Sequence, residues 1–210
     1  PTYLTTSPRF FEDHGIRPAM MLLGESQEEA MALVARGVDA DRTNPVGAAY
    51  LVRTDDPARN VRWPQMIAAE LDWEDEDSLT VHYLDNHDGG LGTNEITDVH
   101  DVLFYCTGLT HVDGLETLTF LPGAFADHLT SLGGVLDTDD QMPVSRWLEA
   151  GATGSYGTVV EPCNKLAKFP HVRFLIQSVF RGRTLLEAVW TSVHWPGEGL
   201  LVGDPLSRPY

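Results

Sequence analysis

A histidine and a cysteine that follow successive β-rich segments are the residues of this sequence best suited to chemistry. His128 comes after an apolar run over 118–125, and Cys163 comes after a β-rich run over 154–160. Between them, residues 144–150 predict a short helix. A strand–helix–strand unit would place both residues outside the carboxyl ends of neighbouring parallel strands, where open α/β sheets carry their sites.

A thiol beside an imidazole forms a nucleophile and its base, because the imidazole favours the reactive thiolate near pH 7. We therefore consider Cys163 as a nucleophile and His128 as its general base, with backbone amides near the cysteine as oxyanion donors. Asp127 or Glu161 could orient the imidazole. Asp127, however, is adjacent to His128 in sequence and is expected to point elsewhere.

Other interpretations of the same residues stay open. His111 follows the preceding β-rich run and competes for the role of base. His111, His128, Cys163 and Asp127 together include the ligand types of a zinc site, although no short CxxC or HxxxH pair supports one. The simplest alternative is structural. Cys163 would then be a buried thiol or half of a disulfide with Cys106, and His128 a hydrogen-bonded core residue.

The segment from Asp85 to Asp101 is acidic and rich in glycine. Carboxylates of this kind are the ligands that calcium prefers. The candidate ligands are Asp85, Asp88, Glu95 and Asp98. Their spacing does not match an EF-hand, so a solvated loop is favoured over a calcium site.

Composition limits the classes of partner. The 210 residues carry 31 acidic and 14 basic side chains, for a net charge of −17. Such a field repels phosphate, which argues against nucleic acid or an anionic membrane as a partner. No apolar run approaches the length of a membrane span. The high negative charge most simply keeps the protein soluble. The more specific alternatives are a cationic partner, a bound divalent cation, or a salty or extracellular setting.

The order of the elements predicts the fold class. Predicted strands cover 19–23, 47–52, 79–84, 102–106, 118–125, 154–160, 174–180 and 200–202, and predicted helices cover 26–35, 58–71, 144–150 and 184–192. This alternation indicates one α/β domain over 19–210, a three-layer sandwich whose twisted, mostly parallel sheet has helices on both faces. Residues 1–18 are expected to form an irregular arm. The start at Pro1, without methionine or signal peptide, is typical of a processed chain or a fragment.

Several motifs resemble those of a bacterial family of conserved proteins to which no activity is assigned. The motifs are PAMMLLGES, YCTGLTHV, PGAFADHLTSLGG, WLEAGATGSYGTVVEPCN, KFP, RGRTLLEAVWTSV and GLLVGDPLSRPY, which together span residues 18–210. Members of that family are usually longer at the N-terminus and often carry secretion signals. The resemblance therefore implies an exported protein, either secreted or periplasmic.

A more distant resemblance is to the gingipain-like cysteine peptidases of the caspase-like group. In that group a strand ending in Gly-His precedes a strand ending in the nucleophilic cysteine, and an EKGA-type turn and a GDP motif follow. Here EAGA at 149–152 and GDP at 203–205 resemble the last two features. If EAGA is aligned with the EKGA-type turn, the peptidase histidine corresponds to a position near His111. The peptidase cysteine then corresponds to a position near ADHLTS, where this chain has none. If His128 is paired with Cys163 instead, EAGA no longer corresponds to that turn.

The sequence thus predicts an exported domain of caspase- or gingipain-like fold with two candidate functions. The first is a cysteine peptidase, or a related thiol hydrolase, that acts on a peptide or protein. The second is a catalytically inactive caspase-like scaffold that binds a partner or self-assembles into a homo-oligomer, with calcium in the acidic loop as an option.

Overall fold

The computed structural model of the protein describes residues 10–73, 78–138, 140–162 and 164–210. The strands are β1 (Gly47–Arg53), β2 (Leu79–Asp85), β3 (Val102–Thr107), β4 (Phe120–His128), β5 (Gly154–Thr158) and β6 (Gly199–Gly203). The helices are α1 (Phe10–His14), α2 (Gln27–Ala40), α3 (Trp63–Leu71), α4 (Ser145–Glu149), α5 (Val172–Phe180) and α6 (Leu185–Ser192). None of the helices in these ranges combines the length and the apolar character that crossing a membrane requires.

One six-stranded sheet, in the order β2-β1-β3-β4-β5-β6, organises the fold. The first five strands in this order run parallel, and β6 runs antiparallel to β5. This confirms the predicted α/β class with a mostly parallel sheet. The carboxyl ends of the five parallel strands therefore open on one edge, which we call the carboxyl edge.

Helices cover both faces of the sheet, as predicted. On one face, α3, α5 and α6 pack their apolar side chains against the sheet around the buried Phe104 and Phe125. On the other face, Leu33 of α2 and Trp147 of α4 pack around the buried Tyr105. The core therefore consists of two apolar layers that the sheet separates.

One predicted strand, 174–180, is wrong, because this segment belongs to α5. Its β-branched and aromatic residues favour a strand, but its buried residues follow a helical period. These buried residues are Val172, Leu175, Ile176 and Val179. Their face packs into the core, and this tertiary burial outweighs the weak strand preference of the composition.

The predicted strand over 19–23 is reduced to a single bridge. Met21 pairs with Val202 of β6 in parallel orientation, with its N–H donating to the carbonyl of Leu201 at 2.9 Å. Helix α2 starts where predicted, at Ser26, whose hydroxyl accepts from the Glu29 N–H at 3.2 Å. It continues past Gly37 to Ala40, however.

Gly37 lies within α2 and allows close packing there. A Cβ at this position would lie 1.9 Å from a carboxylate oxygen of Asp204, which follows β6. The predicted irregular arm also differs in part, because residues 10–14 form the short helix α1. Residues 1–9 lie outside the described ranges.

The last residues form a strap across the start of β1. The N–H of Arg42 donates to the carbonyl of Arg208 at 2.8 Å, and that of Asn44 donates to the carbonyl of Pro209 at 2.8 Å. The hydroxyl of Tyr210 donates to the carbonyl of Pro45 at 3.0 Å. Three residues thus close the connection between α2 and β1.

Candidate functional site

The candidate site lies at the carboxyl edge, where the adjacent strands β3 and β4 end. Cys106 pairs with Asp127 and Thr107 with His128 in their parallel register. Successive side chains of a strand point to opposite faces. Asp127 accordingly meets the N-terminal end of α3, and His128 meets α4 on the other face. The two residues therefore cannot bind the same zinc ion, and Asp127 does not orient the His128 ring.

Asp127 forms a buried ion pair with Arg62. Two guanidinium nitrogens of Arg62 donate to the two carboxylate oxygens at 2.8 and 2.7 Å, and neither side chain is more than 1% exposed. A further bond from Arg62 reaches the carbonyl of Thr107 at 2.7 Å. Burial alone would lower the pKa of Arg62, but the adjacent carboxylate outweighs it and raises this pKa. This paired and hydrogen-bonded carboxylate holds α3 against the sheet.

His128 is fully buried, and both of its ring nitrogens are engaged. Its Nδ1 accepts from the indole N–H of Trp147 at 2.9 Å, and its Nε2 lies 3.0 Å from the carbonyl of Met142. An indole can only donate and a carbonyl can only accept, so the ring is neutral with its proton on Nε2. Burial, followed by nearby positive charges, lowers the pKa of His128 to about 3, although the Met142 carbonyl opposes this shift. Neither nitrogen is available to accept a proton from a thiol.

Among the described residues, the other predicted catalytic side chains do not form one site with His128. Cys163 lies outside the described residues. Glu161 is exposed beyond the end of β5. His111 is exposed on the loop after β3, and its electrostatic interaction with His128 is one of the smaller causes that lower the pKa of His128. The structure therefore brings His111 near the carboxyl end of β4 and leaves the predicted thiol–imidazole pair unplaced.

Cys106 is a free thiol, completely buried on the face of Asp127. Burial, and then the Asp127 carboxylate, raise its pKa well above the ordinary value of a thiol. A protonated and inaccessible thiol is a core side chain and does not act as a nucleophile.

A polar network that the sequence did not reveal fixes the loop after β4. The hydroxyl of Thr130 accepts from Arg59 at 3.1 Å and donates to the Gln141 side chain at 2.7 Å. The same Gln141 oxygen accepts from the N–H of Leu132 at 2.7 Å. The Thr158 hydroxyl, at the end of β5, donates to the Thr130 carbonyl at 2.8 Å. These bonds connect the loop after β1, the loop after β4 and the end of β5 through buried side chains.

The predicted calcium ligands are not brought together. The carboxylate of Asp85 accepts from Arg53 at 3.2 Å, from Tyr83 at 2.9 Å and from a backbone N–H at 2.8 Å. Asp88 and Asp98 are exposed, and Glu95 is half-buried. In the described parts of the chain, no group of three or more potential ligands is arranged to hold a metal ion.

Side-chain amides connect the acidic loop to the loop after β1. The Asn94 side chain donates to the Asp55 carboxylate at 2.7 Å and accepts from the Asn86 side chain at 2.6 Å. The Asp55 N–H also donates to the Asn94 side chain at 3.0 Å. These contacts dock the loop after β2 onto the loop after β1, because each amide can both donate and accept.

Comparisons of this chain with protein-family models, with curated proteins and with solved structures find no match. The fold itself defines the class: an α/β protein with a mostly parallel six-stranded sheet between helical layers.

A glycine at the carboxyl edge allows a direct test of the packing between the loops after β1 and β3. A Cβ at Gly108, just after β3, would lie 2.0 Å from the backbone carbonyl oxygen of Arg59. The Gly108 carbonyl also accepts from the buried Thr54 hydroxyl at 2.7 Å, so the two loops cannot separate freely. We expect Gly108→Ala to lower the free energy of unfolding by about 1–3 kcal/mol, measured by urea denaturation.

Gly197→Ala is the matched control, because a Cβ at Gly197 would meet no atom within 4 Å. Its unfolding midpoint should equal or slightly exceed that of the wild type. A midpoint for Gly108→Ala that coincides with the control would show that the loops after β1 and β3 are not packed as described.

Proposed function

We propose that this protein is a non-catalytic scaffold of caspase-like layout that works by binding a peptide or protein partner. The observation that carries the proposal is the state of the two polar residues at the end of β4. Asp127 is held in a buried ion pair, and His128 is locked as a neutral ring between Trp147 and Met142. These contacts stabilise the fold and leave neither side chain available to a substrate.

The order of the elements supports the caspase-like part of the proposal. His111 follows β3, and β4 is both the next strand of the chain and its neighbour in the sheet. The EAGA turn at 149–152 leads from α4 towards β5, and GDP at 203–205 follows at the end of β6. These are the positions that the gingipain-like resemblance implies for the histidine, the turn and the closing motif.

The same layout argues against peptidase activity. In that arrangement the nucleophilic cysteine would end β4, the strand beside the histidine-bearing one. The residues at this point are Asp127, His128, Leu129, Thr130 and Ser131. None of them is a cysteine, and all five are buried. A chain that keeps the layout but lacks the nucleophile is suited to binding.

Charge indicates the kind of partner. A net charge of −17 produces a field that attracts a basic partner and speeds its association. The same field opposes the close approach of a second copy of this chain. The family resemblance adds export to the proposal, so the partner would be a basic peptide or protein outside the cytoplasm.

The reactivity of Cys163 towards iodoacetamide tests the proposal. We expect Cys163 to be alkylated at pH 7 no faster than the cysteine of an unstructured peptide, and the rate to change less than about twofold on His111→Ala. Mass spectrometry of the digested protein measures each thiol separately. Cys106 serves as an internal control, because it is buried and should stay unmodified until the protein unfolds.

A catalytic thiol would give a different result. Alkylation of Cys163 at more than about ten times the peptide rate, and a loss of that excess in His111→Ala, would show an activated nucleophile. Hydrolysis of a peptide library that Cys163→Ser abolishes would establish the cysteine peptidase. Either result would overturn the non-catalytic proposal.

A further inference from the structure

A cavity lies between residues 19–21, helix α6 and strand β6, and we call it the α6 cavity. It encloses about 490 Å³, within the range of about 300–1,000 Å³ that is usual for sites of small molecules. Four of its lining residues are at most 5% exposed, namely Tyr156, Val189, Val193 and Leu201. The cavity therefore reaches core side chains and has room for a small molecule.

Hydrogen bonds hold the walls of the α6 cavity in place. The N–H of Met21 donates to the carbonyl of Leu201, in β6, at 2.9 Å. The indole N–H of Trp190, on α6, donates to the carbonyl of Ala19 at 3.0 Å. Residues 19–21 are thus tied to both β6 and α6, so the cavity is formed by the fold itself, as is usual for sites of small molecules.

The hydroxyl of Tyr156 is a buried polar group at this cavity. Tyr156 is 2% exposed, and its hydroxyl has no hydrogen-bond partner among the described residues. The oxygen lies beside Gly199, which also lines the cavity, because a Cβ at Gly199 would be 2.1 Å from it. A buried hydroxyl without a partner is unfavourable. A ligand in the cavity that accepts a hydrogen bond from Tyr156 would satisfy this group.

The chemistry of the lining favours an uncharged ligand. None of the described residues that line the cavity is charged, so a carboxylate or an ammonium group would lose its hydration there without gaining a counter-ion. Burial, and then the negative charges of Asp127 and Glu198, raise the pKa of Tyr156, so its hydroxyl keeps its proton and can donate. The same negative charges oppose an anion. A neutral acceptor, such as the oxygen of a carbonyl, therefore fits the hydroxyl best.

We propose that the α6 cavity binds a small, neutral, apolar molecule of about one or two rings, whose carbonyl oxygen accepts a hydrogen bond from Tyr156. Val189 and Leu201 would contact the apolar body of this ligand. Met20 and Met21, which also line the cavity, have unbranched side chains that adapt to irregular shapes. This site is additional to the binding of a peptide or protein proposed above and does not depend on it.

The test uses prodan, a neutral naphthalene ketone whose fluorescence depends on its surroundings. Its emission should shift to shorter wavelength on binding to the wild-type protein, because the cavity is apolar. Two competitors then displace it: acetonaphthone, and ethylnaphthalene, which has nearly the same shape without the carbonyl oxygen. The ratio of their affinities should favour acetonaphthone by about five- to tenfold more in the wild type than in Tyr156→Phe, which is the contribution of one hydrogen bond. Comparing the two ratios cancels the difference in hydrophobicity between the competitors.

Tyr105→Phe is the matched control, because Tyr105 is equally buried but packs on the opposite face of the sheet. It should leave the ratio of the two affinities at the wild-type value. Urea denaturation without ligand gives a second measurement. Because the hydroxyl of Tyr156 has no partner among the described residues, Tyr156→Phe should unfold at a urea concentration at least as high as the wild type.

Three results would overturn the assignment. The first is an unchanged prodan emission at concentrations up to its solubility limit. The second is the same ratio of affinities in the wild type and in Tyr156→Phe, which would exclude the hydrogen bond. The third is binding of naphthoate, the carboxylate of the same ring system, as tight as that of acetonaphthone, which would remove the preference for a neutral group. The alkylation rate of Cys163 is measured separately, so the non-catalytic proposal stands or fails independently of these results.

Discussion

Asp127→Asn is expected to lower the free energy of unfolding by about 3–5 kcal/mol, because it leaves the charge of Arg62 buried without its counter-ion. The guanidinium is 1% exposed, and its remaining described polar contact is the carbonyl of Thr107. Water cannot solvate it without opening the junction between α3 and the sheet. Urea denaturation at pH 7, followed by circular dichroism, measures the loss.

Two controls make this measurement specific. Asp72→Asn removes the partner of Arg173 in an ion pair of 2.8 Å whose side chains are 45% and 36% exposed. Exposed pairs contribute about 1 kcal/mol or less, so this variant should stay close to the wild type. Arg62→Met/Asp127→Leu, which removes both charges, should cost less than Asp127→Asn. A cost for Asp127→Asn as small as that of Asp72→Asn would contradict the buried pair.

Acid should destabilise the protein through His128. The pKa of this residue is lowered from an ordinary value of 6.5 to about 3 in the folded state, chiefly by burial. Below pH 6.5 the unfolded chain therefore takes up a proton that the folded protein does not, and the stability falls as the pH falls towards 3. Between pH 7 and pH 4.5 this one group should remove about 2–3 kcal/mol.

His128→Gln separates this effect from the titration of other groups. The variant should be less stable than the wild type at pH 7, because the bonds to Trp147 and Met142 are disturbed. It should nevertheless lose about 2–3 kcal/mol less than the wild type between pH 7 and pH 4.5. Burial also lowers the pKa of His171, to about 4, but this contribution is common to both proteins. Parallel stability curves for the two would show that His128 is not held neutral.

Much of the sheet follows from local sequence. The runs GAAYLV, LTVHYL and VLFYC are short, apolar and rich in β-branched or aromatic residues, and they form β1, β2 and β3. The segment that became α5 shows the limit of this approach. Its composition favours a strand, whereas the spacing of its buried residues fits a helix, and only the packing against α3 and α6 decides between the two.

The candidate site was harder to predict, because its partners are distant in sequence. The alternation of side chains along a strand predicts that Asp127 and His128 point to opposite faces of the sheet, as they do. No local pattern marks Arg62, 65 positions before Asp127, as a buried cation. The prediction that His128 acts as a base considered its position at the end of a strand but not its contact with Trp147. The indole N–H of Trp147 donates to Nδ1, so the lone pair that a base would use is already engaged. A tryptophan in the predicted helix over 144–150 was the available signal, since a buried indole needs an acceptor.

The strap formed by residues 208–210 bears on how the protein is made. Its bonds to residues 42–45 join segments about 165 positions apart. The connection between α2 and β1 is synthesised early, and its backbone donors stay open until residue 210 has left the ribosomal exit tunnel. The connection between α2 and β1 therefore completes this part of its packing only after residues 208–210 have been synthesised.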